Sequence, residues 1–293
     1  MLPAEAGGCA ALAAAAGEPL VGTASRIRHW LLVEQPGPWG HDALLESGLP
    51  RAVGAALRAE EERLGVRILL IKRRDRPDPS PRRCFAAFTG RRQRLLATFE
   101  VADPAELLDL DLETRVRTRW AGFGDLLAEP LAVVCTHGKH DACCAREGAP
   151  VARALADRPD VWEATHVGGD RFAGNLVCFP HGLYYGRVTP EAAPAIVDAY
   201  AAGRIVLGSY RGRSAHAPAV QAAERHLLAA IGLDGVDDLV VTGHERGDPH
   251  RVSFRTPSGE ERTVEVRESA GEGRFLTCKA THPHRPRRYE IAG

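Results

Sequence analysis

Residues 131–170 read LAVVCTHGKH DACCAREGAP VARALADRPD VWEATHVGGD, and this stretch decides the fold. The apolar run 131–135 predicts a buried strand, residues 144–155 predict a helix, and residues 161–166 predict a second strand. A single helical crossover between two strands of one sheet makes the strands parallel. Their carboxyl ends therefore meet at the same edge of the sheet, where polar residues follow each strand.

The same order of elements is found earlier in the chain. The first copy is predicted to have strands at 29–33, 66–71, 84–89 and 94–100, and helices at 50–64 and 104–110. The second copy is completed by predicted strands at 175–179 and 184–188 and by a helix at 190–201. The repeated order β-α-β-β-β-α predicts an α/β protein with two thioredoxin-like domains in tandem and a small C-terminal β unit.

The composition excludes two classes of partner. Lys and Arg total 38 and Asp and Glu total 38 in 293 residues, so no net positive field would attract nucleic acid or an anionic membrane. Seven cysteines are an odd number in a chain large enough to fold without disulfides, which indicates a reducing compartment. The first seventeen residues lack the features of a secretion signal. We therefore expect a cytoplasmic protein.

Soft metal ligands are concentrated just after the strand at 131–135. Ten residues contain five thiol or imidazole side chains, namely Cys135, His137, His140, Cys143 and Cys144. His166 ends the neighbouring parallel strand, so we expect it to lie close to Cys135. Cys144 is predicted at the start of the intervening helix, where the partial positive charge stabilises a thiolate. The pattern predicts a buried metal centre closed by two loops.

Other interpretations fit the same residues. Adjacent cysteines are often small buried apolar side chains, and a histidine at a strand end often bonds a backbone carbonyl. A zinc-stabilised structural or interaction module would use the same ligand types, although structural zinc usually has ligand spacings of two to four residues. A thiol-based redox sensor would use the vicinal pair Cys143-Cys144, although the thioredoxin motif requires Cys-x-x-Cys.

Three strings carry a family resemblance. They are WLLVEQPGPWG at 30–40, CTHGKHDACCAREGAPVARAL at 135–155 and VWEATHVGGDRFAGNLVCFPHGLYYGRV at 161–188. The chain resembles the sucrase/ferredoxin-like family over about residues 22–278. That resemblance implies a [2Fe-2S] cluster in a thioredoxin-like ferredoxin domain. The sucrase in the family's name has no counterpart here, since no carboxylate pair indicates sugar hydrolysis.

The resemblance also implies the ligands. Cys135 and Cys144 match the two cysteines of one iron, and His166 matches the first histidine of the other. The family's second histidine ends a His-x-Gly-Gly-His string, and Asp170 occupies that position here. A carboxylate is a harder ligand than imidazole, so the ligand set has alternatives: His137 or His140 in the fourth position, Cys143 in place of one thiol, or a site that has lost its cluster.

The implied function is one-electron transfer between a reductase and an acceptor protein, without catalytic residues. Arg171 is expected to hydrogen-bond Asp170, to offset cluster charge or to form an ordinary surface ion pair. Cys84, Cys178 and Cys278 are expected to be buried thiols. The expected organisation is a disordered start (1–20), an N-terminal thioredoxin-like domain without cluster ligands (21–128), a thioredoxin-like ferredoxin domain (129–235) and an accessory β tail (236–293).

Overall fold

The computed structural model describes residues 7–292. Its strands are β1 (His29–Glu34), β2 (Val66–Lys72), β3 (Arg82–Thr89), β4 (Arg94–Val101), β5 (Asp125–Leu126), β6 (Leu131–Cys135), β7 (Val161–Ala164), β8 (Leu176–Phe179), β9 (Leu183–Tyr185), β10 (Tyr210–Arg213), β11 (Val240–Glu245), β12 (His250–Arg255), β13 (Glu261–Ala270) and β14 (Arg287–Ile291). Its α-helices are α1 (Cys9–Ala15), α2 (Ala43–Glu46), α3 (Arg51–Leu64), α4 (Leu112–Arg117), α5 (Ala142–Ala154), α6 (Ala193–Ala201) and α7 (Pro218–Ile231). Short 3₁₀ helices lie at Pro104–Asp109 and Asp170–Phe172.

Ten strands form one mixed sheet in the order β10-β9-β8-β6-β7-β2-β1-β3-β4-β5. β6 pairs with β7 in parallel, as the sequence predicts, and β1 pairs with β2 in the same way. β2 and β7 pair in antiparallel fashion at the centre. The strand order on one side of this seam therefore repeats on the other. We call β1–β5 with their helices the N-terminal half, and β6–β10 with theirs the site half.

The predicted α/β class is confirmed as a mixed α/β fold with one large and one small sheet. The two copies share a single continuous sheet across the β2–β7 seam. The stretch 204–214, which follows the last predicted helix of the second copy, contains β10. Its sequence Tyr-Arg-Gly-Arg has no apolar alternation, but all four residues are buried, because the two arginines find polar partners inside the protein.

The N-terminal segment differs from the expected disordered start. Residues 1–6 lie outside the described part of the chain, but residues 9–15 form α1. Cys9, Ala10 and Ala13 on this helix are buried. They pack beside Cys143 of α5 and Ala173, a contact between distant parts of the chain that local periodicity does not reveal.

The C-terminal residues form a four-stranded antiparallel sheet in the order β11-β12-β13-β14. All four strands lie within residues 236–293, where the sequence predicts an accessory β tail. Val252, Phe254 and Val266 on the inner face are fully buried in one core with Leu228 of α7. The small sheet therefore covers α7 and is attached to the site half by apolar packing.

Two local features position the start of α5. The side chain of Asp141, the N-cap, accepts the backbone N–H of Cys143 at 2.9 Å, which satisfies one of the unpaired donors of the first turn. Gly148 faces the carbonyl oxygen of Cys135, and a Cβ at this position would overlap that oxygen. The helix can therefore pack directly against the end of β6.

Candidate metal centre

Two buried thiols meet where β6 ends and α5 begins. Cys135 is the last residue of β6, and Cys144 lies in the first turn of α5; both are buried. One ring nitrogen of His166 and the sulfur atoms of Cys135 and Cys144 all lie within 4.8 Å of one another. The structure thus brings together the three residues that the sequence places at this edge of the sheet.

Asp170 completes the group. His166 follows β7, and Asp170 begins the 3₁₀ helix at 170–172. Nδ1 of His166 lies 2.9 Å from Oδ1 of Asp170, and the Cys144 thiol donates to the same oxygen at 3.2 Å. The His166 side chain is 23% exposed and that of Asp170 is 4% exposed. The sulfur side of the group is therefore buried, and the imidazole side reaches the surface.

One polar atom in this group tests whether the residues fit a metal. Nδ1 of His166 is buried and makes no hydrogen bond within residues 7–292, although Oδ1 of Asp170 is 2.9 Å away. Buried polar atoms without a partner are rare and call for an ion, a water or a function. A ring nitrogen and a carboxylate oxygen that touch without a hydrogen bond fit ligation of a common cation.

The donor set fits a [2Fe-2S] cluster in kind, with two sulfurs at the inner side and a nitrogen and an oxygen at the outer side. The spacing is more compact than two irons need. The 3.2 Å between Sγ of Cys144 and Oδ1 of Asp170 is close to the ligand separation around one tetrahedral ion, about 3.5 Å for bonds of this length. A two-iron cluster therefore requires side-chain rotation that separates the cysteines from His166 and Asp170.

Charges in the group stabilise one another. The neighbouring Cys144 thiol and His166 hold the pKa of Cys135 below its ordinary value, against the effect of burial. Burial opposes the charged form of His166, but Asp170 and Cys135 outweigh it and raise its pKa to about 9. Burial also opposes ionisation of Asp170, yet His166 lowers its pKa. Metal ligation must therefore displace protons from this site.

Arg211 of β10 supports the loop between His166 and Asp170, a role that the sequence does not indicate. It is 1% exposed, and its guanidinium donates to the carbonyl of Gly168 at 3.1 Å and to Oδ1 of Asn175 at 2.6 Å. Asn175 in turn donates to the carbonyl of Gly169 at 2.9 Å. Gly169 has a positive φ, and a Cβ there would overlap the Arg211 guanidinium. The loop is thus held by buried hydrogen bonds.

The N-terminal half also reaches the site. Nε2 of His137 lies 2.9 Å from the carbonyl oxygen of Gly40, and the Trp39 ring packs edge-on against His137. His41 lies 5.9 Å from the His140 ring. A cleft of about 430 Å³ opens here, and its wall includes His41, His140 and His166. The exposed side of the site is therefore reached through this cleft.

The three proposed substitute ligands, His137, His140 and Cys143, are placed differently. The His140 ring stacks on His166 at 3.9 Å, and its Nε2 lies 3.9 Å from Oδ2 of Asp170; burial and the charge of His166 lower the pKa of His140 to about 4. His137 is bound to Gly40, as described. The Cys143 sulfur lies 3.3 Å from that of Cys278 and belongs to a separate group.

Other expected side chains have different partners. Arg171 donates to Glu18 at 2.8 Å, so the expectation that it hydrogen-bonds Asp170 is wrong. Glu18 follows α1 and is buried beside Arg171. The sequence alone does not indicate this contact, because the two residues are 153 positions apart. Cys84 and Cys178 are buried thiols, as expected, whereas Cys278 is only partly buried.

In the described range, no helix is long and apolar enough to cross a bilayer. A protein of Meyerozyma guilliermondii named altered inheritance of mitochondria protein 32 is 33% identical over 99 residues, 29% of this chain and 35% of that protein. Proteins of the same name from Debaryomyces hansenii (35% over 100 residues, 29% of this chain, 36% of that protein) and Saccharomyces kudriavzevii (29% over 105 residues, 30% and 34%) are also similar.

The chain spans about a third of the length of these curated relatives. No solved structure matches it significantly. The family model described as sucrase/ferredoxin-like matches residues 20–212, a range that contains strands β1 to β9, most of β10 and all four residues of the candidate metal centre. The chain therefore belongs to the sucrase/ferredoxin-like family.

Proposed function

We propose that the chain is an electron-transfer protein that carries a [2Fe-2S] cluster on Cys135, Cys144, His166 and Asp170. One observation carries the proposal: two buried thiols, an imidazole and a carboxylate from separate segments converge at one edge of the sheet. When bound, such a cluster supplies reversible one-electron oxidation and reduction.

Each residue has a distinct part in this proposal. Cys135 and Cys144 lie in a dry interior that excludes water from the sulfur side. His166 is the most exposed of the four residues and borders the cleft, so its ring provides the shortest route for an electron to a partner. His140, stacked on His166, shields the ring and fixes its orientation.

The proposal includes the organisation of the chain. Each half of the large sheet is proposed to be a thioredoxin-like unit, with boundaries at 21–128 and 129–235, and residues 236–293 form the accessory tail. The repeated strand order on either side of the β2–β7 seam supports this division. The proposed partners are a reductase and an acceptor protein in the cytoplasm, and the free thiols in the described residues are compatible with a reducing compartment.

The test is chemical analysis of the whole chain purified without oxygen. We expect a reddish-brown protein with two irons and two acid-labile sulfides per chain that takes up one electron in a reductive titration. Cys144→Ser should abolish the visible absorbance, and Cys178→Ser, at another buried thiol, should retain it. A colourless wild-type protein that cannot be reconstituted with iron and sulfide would contradict the proposal.

The role of Asp170 needs its own variants. Asp170→Ala should lower iron occupancy several-fold, because it removes a ligand, whereas Asp170→His should keep the cluster and shift its reduction potential. Full occupancy in Asp170→Ala would assign the fourth position to another residue, with His140 the nearest imidazole.

A single zinc ion is a second candidate for the same residues. The short distance between Cys144 and Asp170 favours it, because both atoms can ligate one tetrahedral ion without moving far. Stoichiometric zinc that disappears in both Cys135→Ser and Cys144→Ser, with no iron in protein isolated under anaerobic conditions, would establish this alternative.

A further inference from the structure

A second group of thiols lies outside the candidate metal centre. It consists of Cys9 on α1, Cys143 on α5 and Cys278 near the C-terminus, and we call it the three-thiol group. The sulfur–sulfur distances are 3.8 Å between Cys9 and Cys143, 3.3 Å between Cys143 and Cys278, and 3.7 Å between Cys278 and Cys9. Three segments of the chain thus contribute one sulfur each to one small volume.

These distances suit ligation of one ion. A disulfide requires about 2.05 Å between sulfurs, and no pair within residues 7–292 is bonded. Four ligands around zinc, with Zn–S bonds of about 2.3 Å, lie about 3.8 Å apart at tetrahedral angles. Two of the three distances match this value closely. An odd number of thiols also leaves one unpaired in any disulfide, whereas a metal uses all three.

Asp141 offers a fourth donor. Its two carboxylate oxygens lie 3.8 Å and 3.9 Å from the sulfur of Cys9. The carboxylate is held in place because it accepts the backbone N–H of Cys143 at 2.9 Å and that of Cys278 at 2.6 Å. Each oxygen keeps a lone pair beyond these hydrogen bonds. Asp141 is 1% exposed, so the fourth donor is as deeply buried as the sulfurs of Cys9 and Cys143.

The surroundings stabilise anionic sulfur. The backbone N–H groups of Cys9 and Ala10 donate to the sulfurs of Cys278 and Cys143, each at 3.5 Å. The Arg146 guanidinium donates to Cys143 at 3.2 Å. Gly8 comes so close that a Cβ would lie 2.5 Å from the Cys143 sulfur. Hydrogen-bond donors therefore surround the sulfurs, and position 8 has room only for a glycine.

We propose that Cys9, Cys143 and Cys278 bind one Zn²⁺ as thiolates, with the Asp141 carboxylate as the fourth ligand. Three S–H bonds lose their protons to solvent and four bonds to zinc form, with no change in oxidation state. The complex has a net charge of −2, which Arg146 partly offsets. A closed shell of four protein ligands is typical of a structural zinc site, whereas a catalytic site keeps an open position.

This site joins the ends of the described chain to the candidate metal centre. Cys9 and Cys278 are separated by 269 residues, and both contact Cys143, which directly precedes Cys144. Zinc bound here ties α1 and the C-terminal segment to the first turn of α5. It would stabilise the position from which Cys144 faces Cys135, whatever the identity of the metal at that centre.

The test is zinc analysis of the whole chain by native mass spectrometry and elemental analysis. We expect one zinc per wild-type chain, and loss of that zinc in both Cys9→Ser and Cys278→Ser. Cys84→Ser, at a buried thiol of β3, is the matched control and should keep it. The two ligand variants should retain the visible absorbance of the candidate metal centre. If that centre also binds zinc, the wild type holds two zinc ions and each ligand variant holds one.

Cobalt provides a second, spectroscopic measurement. Metal-free wild-type chain with Co²⁺ added should develop intense thiolate-to-cobalt absorption, and zinc should displace it. Cys135→Ser should leave this signal intact. The proposal is overturned by a wild-type chain without zinc or cobalt binding at these residues, by zinc retained in Cys9→Ser and Cys278→Ser, or by a Cys143–Cys278 disulfide in protein isolated under reducing conditions.

Discussion

The two halves of the large sheet place different chemistry at the same position. Ile71 of β2 pairs with Ala164 of β7 across the seam. Glu34 is the partner of Ile71, and Cys135 is the partner of Ala164. Glu34 at the end of β1 and Cys135 at the end of β6 are therefore equivalent residues, each at the carboxyl end of a central strand.

The N-terminal half neutralises its strand end from within the chain. Glu34 is fully buried, and Arg76 binds it through two hydrogen bonds of 2.8 Å and 3.0 Å. The backbone N–H of Arg83 adds a third at 2.8 Å. In the site half, Cys135 instead faces Cys144 and His166. The comparison teaches that the same arrangement of strands can close the strand end with an ion pair or gather donor atoms there that are able to hold a cation.

The largest expected effect separates these two strand ends directly. Cys135→Ser should remove essentially all visible absorbance and iron, because it deletes a ligand. Glu34→Gln should retain both while lowering the free energy of unfolding by about 2 kcal/mol, since Arg76 loses its charged partner but is partly exposed. Absorbance per chain, iron content and urea unfolding measure the two outcomes. Iron loss in Glu34→Gln would show that metal binding in the site half depends on the Glu34–Arg76 ion pair of the N-terminal half.

Arg211 tests whether the loop of the site half is held by its buried network. Arg211→Met should lower the free energy of unfolding by about 3 kcal/mol, because several buried acceptors lose their donor. It should also lower iron occupancy. A variant that is only less stable stays folded at low temperature and would keep its iron. Arg63→Met, at an exposed ion pair of the N-terminal half, is the control and should cost less than about 1 kcal/mol. Wild-type iron occupancy in Arg211→Met would show that Arg211 does not position the loop between His166 and Asp170.

Acid should destabilise the site half through Glu224. This carboxylate is buried against Arg213 and His216; burial opposes its ionisation, but these partners lower its pKa from 4.5 to about 2. A lowered pKa stabilises the fold above pH 4.5, and that stabilisation is lost as the pH falls from 4.5 towards 2. About 3 kcal/mol depends on it.

The measurement is urea unfolding between pH 7 and pH 3 in a Cys135→Ser background, where cluster loss does not contribute. Adding Glu224→Gln should lower stability at pH 7 and flatten the dependence below pH 4.5. The same slope with and without Glu224→Gln would assign the acid sensitivity to other carboxylates.

The seam between the halves has the smallest expected effect. The Thr165 hydroxyl accepts the N–H of Leu70 at 3.1 Å, and the Thr165 N–H donates to the Leu70 carbonyl at 2.9 Å. Thr165→Val should cost about 1 kcal/mol, the typical net value of one hydrogen bond. Thr242→Val is the control, because that hydroxyl makes no hydrogen bond in the part of the chain described. Equal stability of the two variants would mean that the seam does not depend on this contact.

The sequence predicted what local pattern and topology determine. Apolar runs identify β6 and β7, one helix between them makes them parallel, and parallel strands bring Cys135 and His166 to one edge. It did not predict the continuous sheet, because pairing of β2 with β7 depends on tertiary contact. Arg211 was also missed, since a polar strand has no periodic signal and its acceptors lie 36 and 43 residues away.

The three-thiol group was missed for a related reason. Spacing rules recognise ligands that are close in sequence, and this group combines both ends of the described chain with the middle. The neighbouring cysteines Cys143 and Cys144 therefore belong to different groups, a distinction that depends on which way each side chain leaves the first turn of α5. No alternation in the sequence carries that information.

The most direct test of the central claim is pulsed electron paramagnetic resonance of the reduced wild-type chain. Ligation by Cys135, Cys144, His166 and Asp170 predicts strong hyperfine coupling to one histidine nitrogen, and to two in Asp170→His. Coupling to two nitrogens in the wild type, or to none, would contradict the ligand set.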